Sequence, residues 1–204
     1  MKLYIGQPKL EKTITQLEQA MRNYTDIDVI IYPEGYLNEN IEGAQELAKA
    51  YSTSIITGYR KPKDWAIIIN DVGEIILNRA KYEASPVVQI NNYNIGFMLC
   101  DELVLQGTSK ITGTAPDLII HPIGVGMFSD EQFDEWLTEA KRLAIESKAV
   151  IIGASHADGS YRNCGISIPI AYGIAQDGSE IFVSRNDIRS ILYDTSTQQV
   201  VYVE

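Results

Sequence analysis

The sequence predicts an α/β layered sandwich that contains mixed β-sheets. Apolar, β-branched runs alternate with amphipathic helical segments at both ends of the chain, a pattern typical of parallel strands joined by helices. Pairs of short strands in the middle are separated by tight turns, which indicates antiparallel hairpins. A purely parallel sheet would lack these hairpins, so we expect each sheet to contain both kinds of pairing.

The elements follow one another without a repeat, a low-complexity segment or a linker, which predicts a single domain over residues 1–204. Strands are predicted at residues 2–6, 28–32, 54–59, 117–122 and 149–155, helices at 9–23, 41–52 and 130–148, and hairpin turns at 72–73, 91–93 and 177–178. The C-terminal segment 187–204 is expected to form a further hairpin or an arm that reaches a partner subunit.

Composition narrows the class of protein. The chain of 204 residues is 45% hydrophobic and 22% charged, as in ordinary globular proteins, and it is long enough to bury a substantial core. A net charge of −10 without a lysine or arginine cluster argues against a nucleic-acid partner and an anionic membrane surface. No apolar run approaches the roughly 20 residues of a membrane span. The N-terminal stretch is charged too early for a signal peptide, so we expect a cytoplasmic protein.

The chain has few cysteines and histidines, two of each. Cys100 and Cys164 cannot form a disulfide framework, and one disulfide between them is not favoured in a reducing cytoplasm. We interpret Cys164 as structural. Two histidines and no Cys-x-x-Cys leave little material for a zinc site, so no metal is predicted.

Three predicted strands end in a residue that could carry chemistry. Glu34 follows the apolar run "DVIIYP", Cys100 ends "NIGFML", and His121 lies in "DLIIHP". Ligands gather outside the carboxyl ends of strands in open α/β sheets, so these tips could share one crevice. The alternatives are ordinary: a solvated turn acid for Glu34, and a buried core thiol for Cys100.

Cys100 would be exposed at a bend if its strand turns tightly into "DELVLQG", with backbone N–H groups aimed at the same point. A thiol nucleophile also needs a base and a cation, because the thiolate is the reactive form and an ordinary thiol has a pKa of ~8.5. The residues alone leave two arrangements open. One pairs the cysteine with His121 or His156, and the other combines cysteine, glutamate and lysine.

The stretches "VIIYPEG", "GEIILNRAKYE" and "IGFMLCDE" occur in this order along the chain. Together they resemble the three motif blocks of the nitrilase superfamily, the carbon–nitrogen hydrolases. The helix that carries Arg142 and Glu146 and the later hairpin "NCGISIPIAYGIAQDGSEI" are similar to further blocks of the same family. The likeness covers residues 28–182, which is most of the chain.

The resemblance implies a four-layer α-β-β-α sandwich with two mixed sheets and a thioester mechanism. Glu34 would be the general base, Lys81 would stabilise the oxyanion with the N–H of Asp101 beside it, and Cys100 would attack a small amide or nitrile. No metal or organic cofactor is implied. The family commonly forms homodimers, and the apolar face of residues 130–148 is the candidate contact.

The chain departs from the family pattern around its cysteine. Asp101 stands where the family has an aromatic residue, and Glu102 takes the place of the acid that follows it. The segment between Lys81 and the cysteine is short, and Glu83 is the only acid available there to replace a second glutamate that the family carries. His121 stands at a usually apolar position and would either line the pocket or be a core histidine.

These departures leave a second function open, a catalytically impaired binding or assembly module on the same fold. We expect the substrate specificity of an active enzyme to lie in the loops at residues 35–40, 83–86 and 125–131.

Overall fold

The computed structural model describes residues 1–60, 63–160 and 165–204. The strands in this part of the chain are β1 (Lys2–Ile5), β2 (Val29–Ile31), β3 (Ser54–Arg60), β4 (Asp64–Ile69), β5 (Ile75–Ala80), β6 (Ser85–Pro86), β7 (Val88–Ile90), β8 (Tyr93–Phe97), β9 (Ile111–Thr112), β10 (Leu118–Pro122), β11 (Val150–Ala154), β12 (Ile170–Ile174), β13 (Glu180–Arg185), β14 (Ser190–Asp194) and β15 (Gln199–Val203). The helices are α1 (Thr15–Asn23), α2 (Ile41–Tyr51), α3 (Glu102–Leu105) and α4 (Asp130–Ser147).

Two mixed sheets form the centre of the fold. The seven-stranded sheet has the order β15-β14-β1-β2-β3-β4-β5, and the six-stranded sheet has the order β13-β12-β11-β10-β8-β7. The central strands of each sheet are parallel, β1 to β3 in one and β8, β10 and β11 in the other. Antiparallel strands extend both sheets outwards. Long crossovers connect the parallel central strands, and short turns connect β4 to β5, β7 to β8, β12 to β13 and β14 to β15.

Three clusters of buried apolar side chains define the layers. One cluster lies between the two sheets, one between the seven-stranded sheet and α1 and α2, and one between the six-stranded sheet and α4. Because successive side chains of a strand point to opposite faces, one strand contributes to two clusters. In β10, Leu118 and Ile120 face the other sheet, while Ile119 faces α4. The layer order is α-β-β-α.

The first helix is shorter than predicted, because it begins at Thr15 and not at residue 9. Side chains close the preceding segment into a loop: the Gln16 amide oxygen accepts from the Lys9 N–H, and the Glu11 carboxylate accepts from the Gln16 N–H, both at 2.9 Å. The second bond satisfies the Gln16 N–H, which lies in the first turn of the helix and has no partner within it. Leu10 lies in this loop, within the range predicted as helix, and is 53% exposed.

The apolar face of α4 is buried within the chain. Its residues pack on the six-stranded sheet: Phe133, Trp136, Leu137, Ala140, Leu143 and Ala144. The prediction that this face contacts a partner subunit is therefore wrong, since the sheet already removes it from water. The homodimer itself stays a prediction.

The C-terminal segment forms the hairpin of β14 and β15, and β14 pairs antiparallel with β1. It thus extends the seven-stranded sheet of its own chain. Two short features were not predicted, the single turn α3 and the parallel pairing of β6 with β9. None of the helices that the structure describes has the length and apolar character required to cross a membrane.

Candidate active site

Several chain segments meet at one edge of the sandwich. Glu34 follows β2, and Cys100 follows β8, each from the parallel centre of a sheet. Because β5 is antiparallel to β4, and β4 to β3, β5 runs in the same direction as β2 and brings Lys81 to the same edge. The segment after β10 joins them: the Ile123 carbonyl accepts from the Glu34 N–H at 3.1 Å, and the Pro122 carbonyl accepts from the Cys100 N–H at 2.9 Å.

Glu34 lies between Lys81 and Cys100. The Lys81 Nζ is 2.8 Å from the Glu34 Oε1, and both side chains are largely buried. The Cys100 sulfur is also a neighbour of the Glu34 carboxylate, and the Gly124 backbone N–H lies near that sulfur. The Lys81 ammonium and the Cys100 thiol thus both lie beside the Glu34 carboxylate. This arrangement places a base next to the sulfur and a cation next to that base.

A second carboxylate reaches Lys81 from the residue that follows the cysteine. Asp101 Oδ1 forms an ion pair with Lys81 Nζ at 2.9 Å, and Asp101 Oδ2 accepts from the Tyr82 hydroxyl at 2.8 Å. Lys81 is therefore shared by Glu34 and Asp101. The structure places Asp101, a pocket candidate from the sequence, at the site through its side chain as well as its backbone.

Burial and charge set the protonation of these groups. Burial raises the pKa of the Glu34 carboxyl, although the Lys81 charge opposes the rise. Burial and the charge of Glu34 likewise raise the pKa of the Cys100 thiol, and Lys81 offsets only part of this. Burial acts to lower the pKa of Lys81, but the acidic groups around it, which include Cys100, Glu34 and Asp101, outweigh burial and raise that pKa. The resting thiol is therefore neutral and must lose its proton during attack.

Cys100 lies in a tight bend. Its backbone is left-handed, with φ at +49°, a conformation that costs a non-glycine residue about 1–3 kcal/mol and marks sharp turns. Immediately after it, the Glu102 N–H donates to the Leu99 carbonyl at 3.1 Å and α3 begins. Within residues 1–60, 63–160 and 165–204 the Asp101 N–H has no acceptor, so it is available to a ligand.

The Glu34, Lys81 and Cys100 side chains line a cavity of about 440 Å³, a volume typical of small-molecule sites. Its apolar wall is formed by Ile123, Val125, Met127, Phe128 and Trp136. Its charged side carries Arg60 and Asp64, which pair at 2.7 Å. Of the three loops predicted to set specificity, only residues 125–131 contribute to the described lining.

Solved structures share this architecture. The NitN amidase from Nesterenkonia sp. AN1 matches at a TM-score of 0.81 and 10% identity, over 95% of this chain and 92% of its own. A carbon–nitrogen hydrolase from Helicobacter pylori G27 matches at a TM-score of 0.76 and 13% identity, over 97% and 90% of the two chains. The Nesterenkonia amidase is a nitrilase-superfamily protein. This chain has the nitrilase-superfamily fold.

A variant of the same Nesterenkonia amidase in complex with butyramide matches at a TM-score of 0.79 and 10% identity, over 97% and 92% of the two chains. A scan against protein-family models found no match, and a search of curated proteins found none either. At such low identity the likeness shows the nitrilase fold, and the chemistry has to be argued from the site.

Three pocket candidates do not line the cavity of this nitrilase fold. Glu83 lies in the turn after β5, where its side chain is exposed to solvent. Glu102 is buried and pairs with Arg79 at 2.6 Å. His121 is fully buried, and its Nε2 is 2.6 Å from the Cys100 carbonyl oxygen. His121 is therefore a core histidine, one of the two alternatives that the sequence left open, and neither Glu83 nor Glu102 lines the described part of the pocket, because the first faces solvent and the second is engaged inside the protein.

The buried pair of Arg79 and Glu102 connects two segments of the site. Arg79 donates from Nη1 and Nη2 to the two carboxylate oxygens at 2.7 and 2.6 Å. Glu102 also accepts from the backbone N–H groups of Leu99 at 2.7 Å and Tyr82 at 2.6 Å. Arg79 was missed from the sequence, although it shares the inward face of β5 with Leu77, where a charge needs a partner.

The other candidate reactive residues do not contact the thiol as a base. His121 Nδ1 is 2.5 Å from the Tyr172 hydroxyl, and its Nε2 contacts the backbone of Cys100. Both ring nitrogens of His156 lie 3.2–3.3 Å from backbone carbonyl oxygens. The geometry therefore gives no support to a cysteine–histidine pair. Cys164 lies outside the described residues.

Two glycines allow the close packing around Glu34. A Cβ at Gly58 would lie 2.9 Å from the Gly35 nitrogen and 3.2 Å from the Glu34 Cα. A Cβ at Gly124 would lie 3.0 Å from the Glu34 Oε2. Both contacts are tighter than ordinary packing, so side chains at these positions would displace the carboxylate. No sequence pattern singled out either residue.

Proposed function

We propose that this protein hydrolyses the carbon–nitrogen bond of a small amide or nitrile through a thioester on Cys100. The observation that carries the proposal is the contact of three groups at one edge of the sandwich. Lys81 Nζ lies 2.8 Å from the Glu34 carboxylate, and the Cys100 thiol neighbours that carboxylate in the lining of the same cavity. The apolar wall of the cavity and the butyramide complex of a protein with this fold support a short-chain amide.

Acylation would start from the neutral thiol. The Glu34 carboxylate takes the thiol proton as the Cys100 sulfur bonds to the amide carbon, and the carbonyl oxygen becomes an oxyanion. The Lys81 ammonium and the Asp101 N–H stabilise that charge. The carbon–nitrogen bond then breaks, the leaving nitrogen takes the proton from Glu34, and the thioester remains.

Deacylation would use the same base. Glu34, again a carboxylate, removes a proton from a water molecule that attacks the thioester carbon. The second tetrahedral intermediate collapses with loss of the Cys100 sulfur, which recovers its proton from Glu34, and the carboxylic acid leaves. Side chains and water supply every proton in this cycle, so the proposed reaction uses no cofactor.

The proposal is tested by ammonia release and intact-mass spectrometry with a panel of short amides and nitriles that includes butyramide. We expect turnover and an acyl adduct in the parent protein, none in Cys100→Ala, and parent activity in Cys164→Ala. Iodoacetamide should label Cys100 faster than Cys164. Slow, equal labelling of the two cysteines without turnover would instead support the non-catalytic binding module.

The pH dependence of kcat/KM should follow the ionisation of the Glu34 carboxyl group. Its pKa is raised above the ordinary value of 4.5, and only the carboxylate accepts the thiol proton. We therefore expect kcat/KM to fall as the pH is lowered, with a midpoint above 4.5, and to show no increase near pH ~8.5, where an ordinary thiol ionises. Rates measured from pH 4 to 9 check both points. A midpoint at or below the ordinary carboxyl value would contradict Glu34 as the base.

We further propose that the protein is a cytoplasmic homodimer. A reducing compartment keeps the Cys100 thiol available for attack. Val104 and Leu105 on α3 are 44% and 65% exposed, which supports an apolar contact at this surface. Light scattering should give about twice the chain mass of 22.7 kDa. A mass equal to that of one chain would exclude the dimer.

A further inference from the structure

His121 holds the backbone of Cys100 from the protein interior. The carbonyl oxygen of Cys100 can only accept a hydrogen bond, so the Nε2 that lies 2.6 Å away carries the proton. The other ring nitrogen, Nδ1, must then accept from the Tyr172 hydroxyl at 2.5 Å. Burial lowers the pKa of His121 to about 4, in agreement with a neutral ring that has one donor and one acceptor.

The contact between His121 and Tyr172 spans an intervening strand. His121 on β10 is in register with Gly153 on β11, which is in register with Tyr172 on β12. A Cβ at Gly153 would lie 2.7 Å from the Tyr172 Cζ and 3.0 Å from its hydroxyl oxygen. Because Gly153 has no side chain, the Tyr172 side chain can extend across β11 to His121. Both His121 and Tyr172 are fully buried.

The hydrogen bond from His121 to the Cys100 carbonyl also fixes the orientation of the Asp101 N–H. In a trans peptide, the C=O of Cys100 and the N–H of Asp101 share one plane and point in opposite directions. A bond from His121 to the carbonyl thus directs the N–H away from His121, and no acceptor within the described parts of the chain competes for it. The φ of +49° at Cys100 makes the bend costly, so it needs contacts that hold it.

We propose that His121, held in its tautomer by Tyr172, is a positioning residue that orients the Cys100–Asp101 peptide and so aims the Asp101 N–H at the oxyanion. The inference rests on the thiol chemistry proposed above. If His121 has this role, loss of its N–H donor should weaken the stabilisation of the tetrahedral intermediate. It should have less effect on substrate binding and on the nucleophilicity of the sulfur.

A first experiment reads the hydrogen bonds without activity. In ¹⁵N spectra of histidine-labelled full-length protein, we expect His121 as the Nε2–H tautomer, unchanged between pH 5 and 8, with an altered Nδ1 shift in Tyr172→Phe. A protonated Nδ1 with a free Nε2 would overturn the assignment. A crystal structure of His121→Leu should show a rotated Cys100–Asp101 peptide, and an unchanged peptide would also overturn the proposal.

A second experiment uses the amide that responds best in the panel. For His121→Leu we expect kcat to fall about 10- to 100-fold with KM within about twofold, while iodoacetamide labels Cys100 at a rate within about threefold of the parent. Tyr172→Phe should also lower kcat, by a smaller factor than His121→Leu. His121→Gln should recover part of kcat, since its amide provides a donor and an acceptor. Tyr4→Phe, which loses another buried hydroxyl contact, is the matched control and should keep the parent kcat.

The outcomes separate this inference from the proposed function. A parallel loss of turnover and labelling in folded His121→Leu would indicate a general distortion of the site and overturn the positioning role, as would full kcat in both variants. If the parent shows no chemistry that depends on Cys100, the proposed function fails. The tautomer and the peptide orientation then still decide whether His121 positions this bend.

Discussion

Replacing Lys81 with methionine is expected to lower kcat by about 100- to 1,000-fold, because in the proposed mechanism Lys81 is the cation that stabilises the oxyanion. Lys81 Nζ lies 2.8 Å from Glu34 and 2.9 Å from Asp101, so the change also removes the shared partner of two carboxylates. Without the opposing charge of Lys81, the pKa of Glu34 rises further, and the fall of kcat/KM at low pH should begin at a higher pH. Steady-state kinetics from pH 4 to 9 measure both effects.

Lys141→Met is the matched control for this variant. It makes the same change of charge and size in an exposed ion pair with Glu180, and we expect parent kinetics. Circular dichroism and thermal unfolding of both variants establish that they are folded. A kcat of Lys81→Met within about threefold of the parent would be incompatible with lysine stabilisation of the oxyanion.

Replacing Arg79 with methionine is expected to lower the free energy of unfolding by about 3–5 kcal/mol, because it leaves the Glu102 carboxylate buried without its cation. The two side chains are only 5% and 3% exposed, and two hydrogen bonds of 2.6–2.7 Å join them. Urea denaturation followed by tryptophan fluorescence measures the change. Activity should fall as well, since Glu102 holds the N–H groups of Leu99 and Tyr82, the neighbours of Cys100 and Lys81 in the chain.

Two further variants test the cause of that loss. Arg142→Met removes an arginine whose ion pairs with Glu139 and Glu146 are exposed, and its unfolding curve should match the parent. Adding Glu102→Gln to Arg79→Met should recover part of the stability, because a neutral amide is less costly to bury alone than a carboxylate. If the double variant is less stable than Arg79→Met, the unpaired charge is not the main cause.

The order and type of most elements could be predicted from local patterns. The strand and helix segments before Cys100, the hairpins and the long helix α4 follow from periodicities of two and 3.6 residues, which depend only on near neighbours. The start of α1 could not be predicted this way, because Glu11 and Gln16 make side-chain hydrogen bonds that compete with the first helical turn. Apolar spacing alone does not report such polar contacts.

The candidate site was predicted in part. The ordered motifs pointed to Glu34, Lys81 and Cys100, and the structure brings these three side chains together. Their roles stay predictions until the variants are measured. Asp101, which breaks the family pattern, supplies a second carboxylate at Lys81, whereas Glu83, the only acid between Lys81 and Cys100 in the sequence, is exposed to solvent.

Local sequence patterns were enough to assign a layered α/β sandwich, and the resemblance of three ordered motifs to the nitrilase superfamily singled out Glu34, Lys81 and Cys100. Both signals could be read because apolar alternation and short motifs are written within a few consecutive residues. The tertiary structure alone decided how those groups are held. The contact of Arg79 with Glu102, the reach of Tyr172 over Gly153 to His121, and the left-handed bend at Cys100 depend on the register between strands far apart in the chain. Such partners are selected by burial, where a polar group needs a specific neighbour, and no local pattern encodes which neighbour that is.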